Sequence, residues 1–165
     1  MVLKSFQLKY PFYKISFNYL NNHYHIISNL TLGSIDGLYS FKPNENIAEF
    51  DTILSITPIS ETPLPGKYLG KCLRYPISFK MDVDNICNIV SQVVDVIHDL
   101  QNKNMNTYIH CYEGVSRSAV CVIYYLVKYH NMTMNEAYDF VKQRRSNISP
   151  NPLMIQVLEK LCSSK

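Results

Sequence analysis

Apolar and polar residues alternate at Tyr13, Ile15, Phe17 and Tyr19, which predicts a strand or extended arm near the N-terminus. Residues 25–28 and 30–32 read as a short hairpin, turned at Ser28-Asn29 and closed by Gly33-Ser34. A β-rich apolar run follows at 51–57. Residues 58–66 carry three prolines and predict an exposed loop, and 72–79 read as a further strand. The period then changes. Ile86, Ile89, Val90, Val93, Ile97 and Leu100 recur at helical spacing, so 84–101 is an amphipathic helix. A buried strand at 106–110 and an apolar helix at 117–128 come next. Thr133-Met134-Asn135-Glu136 is a capping box opening a helix that runs to about Arg145. Asn151 followed by Pro152 starts the last helix, through about Leu161.

Strands alternating with helices call for an α/β fold: a central, mostly parallel, twisted sheet of about five strands flanked by helices. A chain of 165 residues suits one core. The expected division is an N-terminal arm over 1–25, packed on the domain or dimerising, and a catalytic domain over 26–165. Ligands of such sheets lie at the carboxyl ends of strands, which directs attention to the end of the strand at 106–110.

That strand runs into His110-Cys111-Tyr112-Glu113-Gly114-Val115-Ser116-Arg117-Ser118. A loop between a strand and a helix N-terminus aims its backbone N–H groups at one spot, a nest for a tetrahedral oxyanion. Tyr112, Glu113, Gly114, Val115 and Ser116 supply that loop. Arg117 can add two charge-assisted bonds in a planar fork, and Gly114 admits a positive φ and a close backbone approach. Cys111 at the centre is a nucleophile once ionised, and such surroundings favour the thiolate. The arrangement points to phosphoryl transfer.

Composition changes this picture little. The net charge of +3 implies no nucleic-acid partner and no anionic membrane. No apolar stretch reaches the length of a membrane span, and neither end carries a leader or lipidation signature. The five cysteines, Cys72, Cys87, Cys111, Cys121 and Cys162, are odd in number and widely spaced. They predict a reducing, cytoplasmic setting with no disulfide framework and no metal site. Abundant asparagine, tyrosine, isoleucine and lysine suggest an AT-rich genome such as that of a large DNA virus or a protist.

The pattern His-Cys-x-x-Gly-x-x-Arg-Ser resembles the signature of the cysteine-based protein tyrosine phosphatases. Residues 26–34 and 141–151 are similar to the opening and closing elements of the compact dual-specificity branch, including poxvirus members. That resemblance implies hydrolysis of phosphotyrosine and phosphoserine/phosphothreonine in phosphorylated protein substrates, through a cysteinyl phosphate and without a cofactor. RNA 5′-triphosphate hydrolysis and a non-hydrolysing phosphopeptide binder are the alternatives. The resemblance also implies that Ser118 donates to the thiolate and that an aspartate some thirty residues before Cys111 protonates the leaving oxygen. Asp82 is the favoured acid and Asp84 the other candidate, although each also suits the cap of the helix behind it. His110 is expected to order the loop. Arg145 is expected either to complement a helix C-terminus or to meet a second phosphate at the rim, and Asn151 to support the loop from the last helix. The oligomeric state is left as monomer or homodimer through the arm.

Overall fold

The computed structural model describes residues 23–39, 50–63 and 71–164. The predicted arm strand at 13–19 lies outside them. Five strands form one sheet: β1 (His23–Ile27), β2 (Leu30–Gly33), β3 (Thr52–Ser55), β4 (Cys72–Arg74) and β5 (Thr107–His110). Their spatial order is β1-β2-β5-β3-β4. Only β1 and β2 pair antiparallel, around the expected turn at Ser28-Asn29; the other pairings are parallel. Since β1 begins at His23, the last three residues assigned to the arm are part of the sheet.

Among the described residues the helices are α1 (Ile35–Tyr39), α2 (Val83–Asn102), α3 (Arg117–Tyr129), α4 (Met134–Arg144) and α5 (Pro152–Ser163). Each strand sends alternate side chains to opposite faces. Leu32, Leu54 and Ile109 enter the main core with α2 to α5, whereas Ile53 and Tyr108 meet Ile35, Leu38 and Phe50 on the other face. Helix α3 packs against α2, α4 and α5 and against β2. Its residues are buried on every side from Arg117 to Val127, which accounts for its lack of a polar face. The predicted capping box is present at Thr133 and Glu136.

Two expectations change. The strand foreseen over 72–79 ends at Arg74, because Pro76 has no N–H to continue a ladder. The short helix α1 was not foreseen; five residues carry too little periodicity to show it.

Parallel pairing brings the ends of β2, β5 and β3 together, with Gly33 and Ser55 each beside His110. The segment after β5 therefore emerges at the centre of the sheet's carboxyl edge. Every later feature of the site depends on that placement.

Candidate active site

Residues 111–116 form the link from β5 to α3, and five consecutive carbonyls in it are held from outside. His110 Nδ1 donates to Cys111 O at 3.0 Å. The backbone N–H of Ile35 donates to Tyr112 O at 3.0 Å, and that of Ser149 to Val115 O at 3.0 Å. Arg145 takes the middle two, its NH2 reaching Glu113 O at 2.7 Å and its Nε Gly114 O at 2.8 Å. A planar trans peptide carries C=O and N–H on opposite sides. Drawing these carbonyls outward turns the N–H groups of Tyr112, Glu113, Gly114, Val115 and Ser116 inward. Ser116 O accepts the helical bond of Val120 N, so the N–H of Arg117 points back along α3 to the same spot. Six amides thus converge, as anion nests require.

Gly114 makes this turn with φ +69. A side chain there would place Cβ 2.2 Å from Gly33 O and 2.9 Å from Ser34 N. The end of β2 therefore passes directly beneath the loop, and glycine is the residue that fits.

Cys111 is buried, and Ser118 Oγ donates to its Sγ at 3.2 Å. Arg117 is buried at the first position of α3. Its NH1 donates to Ile77 O at 3.0 Å, its NH2 pairs with Glu61 Oε2 at 2.8 Å, and its guanidinium lies 4.6 Å from the Phe79 ring centre. The cleft in front of Cys111 has a volume of about 430 Å³, and Glu61, Phe79, Tyr112, Glu113, Ser149 and Asn151 are among its lining residues. Asn151 caps α5 by accepting from Met154 N at 2.9 Å, while its own N–H donates to Ser116 Oγ at 3.1 Å. Cys121 is fully buried in α3, where burial, then the neighbouring Cys111, pushes its thiol up. Such a thiol is a core residue, inert at neutral pH.

His110 is wholly buried, and burial lowers its imidazole from 6.5 to about 4. It is therefore neutral at pH 7, with the proton on Nδ1 because a carbonyl can only accept. Unfolded chain gains this proton near pH 6.5 and the folded protein only near 4, so stability is full above that window and falls as pH drops through it. The difference corresponds to about 3 kcal/mol. His25 and His130 are lowered as well, each chiefly by burial. The check is denaturant unfolding at pH 7 and pH 4.5 for wild type and His110→Gln, which should lose less stability on acidification.

The aspartates require a correction. Asp82 is the N-cap of α2: its Oδ1 accepts from Asn85 N at 2.9 Å and its Oδ2 from Asn85 Nδ2 at 2.6 Å. These bonds, the backbone one foremost, hold its carboxyl below the usual range. Asp82 does not line the cleft, and Asp84 pairs with Lys160 on the surface. The three-residue spacing to Asn85 N favours capping over a reach across the loop. Asp82→Ala should lower the melting temperature by roughly 2–4 °C while leaving the dependence of rate on leaving group as in wild type. Differential scanning calorimetry and a series of aryl phosphates measure the two effects.

Arg145, expected either at a helix C-terminus or at the rim, is the C-cap residue of α4. With 2% of its surface exposed it lies under the loop, where it donates to the carbonyls of Glu113 and Gly114. Sequence reasoning missed Glu61 and Phe79. Glu61 lies in the proline-rich segment, whose turn is closed by Glu61 N and Thr62 N on Pro58 O. Arg74 ties that turn down by donating to Thr57 O at 2.7 Å and Thr62 O at 2.9 Å. No spacing relates either residue to Cys111: the parallel pairing of β3 with β5 brings Glu61 there, and the turn of the chain after β4 brings Phe79. Among the described residues, no group of three or more His, Cys, Asp or Glu is placed to hold a metal ion, and no helix is long and apolar enough to cross a membrane.

Residues 39–161 match the family described as "Dual specificity phosphatase, catalytic domain". Human dual specificity protein phosphatase 6 is 34% identical over 99 residues, which are 60% of this chain and 26% of that protein. Tyrosine-protein phosphatase MSG5 of Saccharomyces cerevisiae is 30% identical over 126 residues, 74% of this chain and 26% of its own length. The chain thus spans about a quarter of the length of these relatives. Among solved structures, human DUSP28 superposes with a TM-score of 0.75 at 18% identity, covering 90% of this chain and 98% of that one. That likeness is one of fold.

Proposed function

Because the chain belongs to the dual specificity phosphatase catalytic-domain family, we propose that it is a protein phosphatase acting on phosphotyrosine and on phosphoserine and phosphothreonine. The observation that carries this reading is the outward hold on five successive carbonyls around Cys111. It leaves a preorganised ring of amide donors that suits a phosphoryl group and little else.

In this reading the Cys111 thiolate attacks phosphorus in line, forming an S–P bond as the P–O bond to the substrate breaks. Loop amides and the Arg117 fork hold the three equatorial oxygens. Fixed dipoles of this kind need no reorganisation as charge develops, so they supply most of the acceleration. Water then attacks the cysteinyl phosphate, and the departing thiolate is stabilised by the Ser118 hydroxyl, 3.2 Å from Sγ. Arg117 must exchange its contact with Glu61 for the phosphoryl oxygens. His110, Arg145 and Asn151 act as positioning residues through the loop. The proposed chemistry uses no metal and no cofactor, phosphorylated proteins are the substrates, and the nucleophile requires a reducing compartment. The assembly is a monomer or a homodimer formed through the N-terminal arm.

The test is a panel assayed in EDTA: an aryl phosphate, phosphotyrosine and phosphothreonine peptides, a phosphoinositide and triphosphate-ended RNA. Turnover of the aryl phosphate and phosphopeptides is expected. Fast turnover of RNA alone, or a requirement for added metal, would overturn the proposal.

A further inference from the structure

Glu61 holds the guanidinium that a phosphoryl group must reach. Its Oε2 lies 2.8 Å from Arg117 NH2, while Arg117 NH1 is spent on Ile77 O and the guanidinium rests against the Phe79 ring. The contact with Glu61 is the one that phosphoryl oxygens replace. The displaced carboxylate stays close, because the backbone beneath it is tied at both ends. Glu61 N and Thr62 N both donate to Pro58 O, and Arg74 donates to Thr57 O, Thr62 O and Thr62 Oγ1. Glu61 therefore leaves Arg117 by rotating its own side chain, and remains at the cleft it lines.

Depth in the cleft separates the two ends of the reaction. Cys111 is 3% exposed and forms the floor, whereas the Glu61 side chain is 38% exposed and stands nearer the mouth. In-line attack by sulfur places the leaving oxygen on the opposite side of phosphorus, toward that mouth. The charged groups around the Glu61 carboxylate are Arg117 from α3, Arg74 from β4 on its own turn, and Glu113 across the cleft. Once Arg117 has turned to the phosphoryl oxygens, the carboxylate faces a dianion with the thiolate beyond it. Like charges so close repel, and uptake of one proton removes the repulsion. A protonated carboxyl then has an O–H to donate.

A second observation is independent of the first. Asp82 is engaged as a helix cap and Asp84 by Lys160, and their segment offers the cleft the Phe79 ring instead. Among the described residues, the carboxylates lining the cleft are Glu61 and Glu113, and Glu61 is the one in contact with Arg117. The need for a donor is large for alkyl esters. An alkyl hydroxyl is close to water in acidity, at about 16, so its alkoxide is a poor leaving group beside the phenolate of tyrosine, whose phenol lies at about 10.

We propose that Glu61 is the catalytic acid of this site, released from Arg117 by the arriving phosphoryl group and donating its proton to the leaving oxygen. The proposal rests on the phosphatase reading above and deepens it. Glu61 takes a proton from solvent as the dianion binds. The S–P bond forms as the P–O bond to the substrate breaks, the carboxyl proton passes to the departing oxygen, and a neutral alcohol or phenol leaves. The Glu61 carboxylate next accepts a proton from water as the water oxygen bonds to phosphorus, and the S–P electron pair returns to sulfur. Release of inorganic phosphate lets Glu61 lose that proton to solvent and pair with Arg117 again.

The experiment compares kcat/KM of the full chain with that of Glu61→Gln and Glu61→Asp, on substituted phenyl phosphates and a phosphothreonine peptide. Wild type should depend only weakly on the basicity of the leaving phenol. Glu61→Gln should slow the phosphothreonine peptide and the most basic phenols by at least about a hundredfold, the usual worth of a proton donor. On the most acidic phenol it should lose less than about tenfold, so its rates fall steeply along the series. Glu61→Asp, which keeps a carboxyl, should keep the shallow dependence at a reduced rate. Affinity for inorganic phosphate, measured by inhibition, should not weaken in Glu61→Gln, because the glutamate competes with phosphate for Arg117. The proposal is overturned if Glu61→Gln slows every substrate by one common factor and weakens phosphate binding, which is the mark of a residue that only holds Arg117. An unchanged leaving-group dependence in Glu61→Gln overturns it equally. In both cases turnover by the wild type shows that the phosphatase reading stands. No turnover of any substrate by the wild type would overturn that reading, and the role of Glu61 with it.

Discussion

Cys111→Ser is expected to reduce turnover of aryl phosphates and phosphopeptides by roughly four to six orders of magnitude, the scale seen when a covalent nucleophile is removed. A serine hydroxyl is not ionised at neutral pH, and no base stands ready to take its proton. The neutral His110 ring uses its Nδ1–H on Cys111 O, and Ser118 is itself a donor to the sulfur. The amide ring does not depend on Sγ, because the five carbonyls are held by Ile35, His110, Arg145 and Ser149. Phosphate binding should therefore survive within about threefold, and acid-quenched wild-type enzyme should show a phosphoenzyme by mass that the variant lacks. Retention of a tenth of the wild-type rate would mean that Cys111 is not the nucleophile.

The parts of this site that were legible in sequence are those built from neighbouring residues. The loop from His110 to Ser118 is contiguous, so its strand, turn and helix could be placed before any contact was known. The caps at Thr133 and Asn151 are equally local, since a cap satisfies N–H groups two or three residues away. Asp82 failed for the same reason. Its spacing to Asn85 is a local signal of equal strength, and it competes with any role that needs the side chain to reach across the loop. Glu61 and Phe79 could not be read at all. Glu61 meets Arg117 only because β3 lies beside β5, and Phe79 only because the chain turns out of the sheet after β4. Arg145 was named, but its direction was not legible. A helix C-terminus tolerates arginine whether the side chain points to solvent or, as here, beneath a loop more than thirty residues earlier in the chain.

Gly114→Ala should be the most damaging change outside the reacting groups, lowering kcat/KM by at least about a hundredfold, the cost of losing one preorganised oxyanion donor. Two penalties add at this position. The backbone has φ +69, which costs alanine about 1 kcal/mol by conformation alone. The added methyl would also lie 2.2 Å from Gly33 O and 2.5 Å from Gly33 C, atoms of a strand end that is hydrogen-bonded to β5 and cannot swing aside as a flexible side chain can. The loop must lift away from β2 instead. Lifting it lengthens the bonds from Arg145 to Glu113 O and Gly114 O and from Ile35 N to Tyr112 O, so several inward amides lose their common target together. The measurable signature is a fall in affinity for inorganic phosphate alongside the fall in rate, which separates this variant from Cys111→Ser, where only the rate collapses. Arg145→Met should produce a milder form of the same pattern, because it releases two carbonyls without forcing the backbone aside. A Gly114→Ala enzyme with unchanged phosphate affinity would show that the amide ring does not form the binding site.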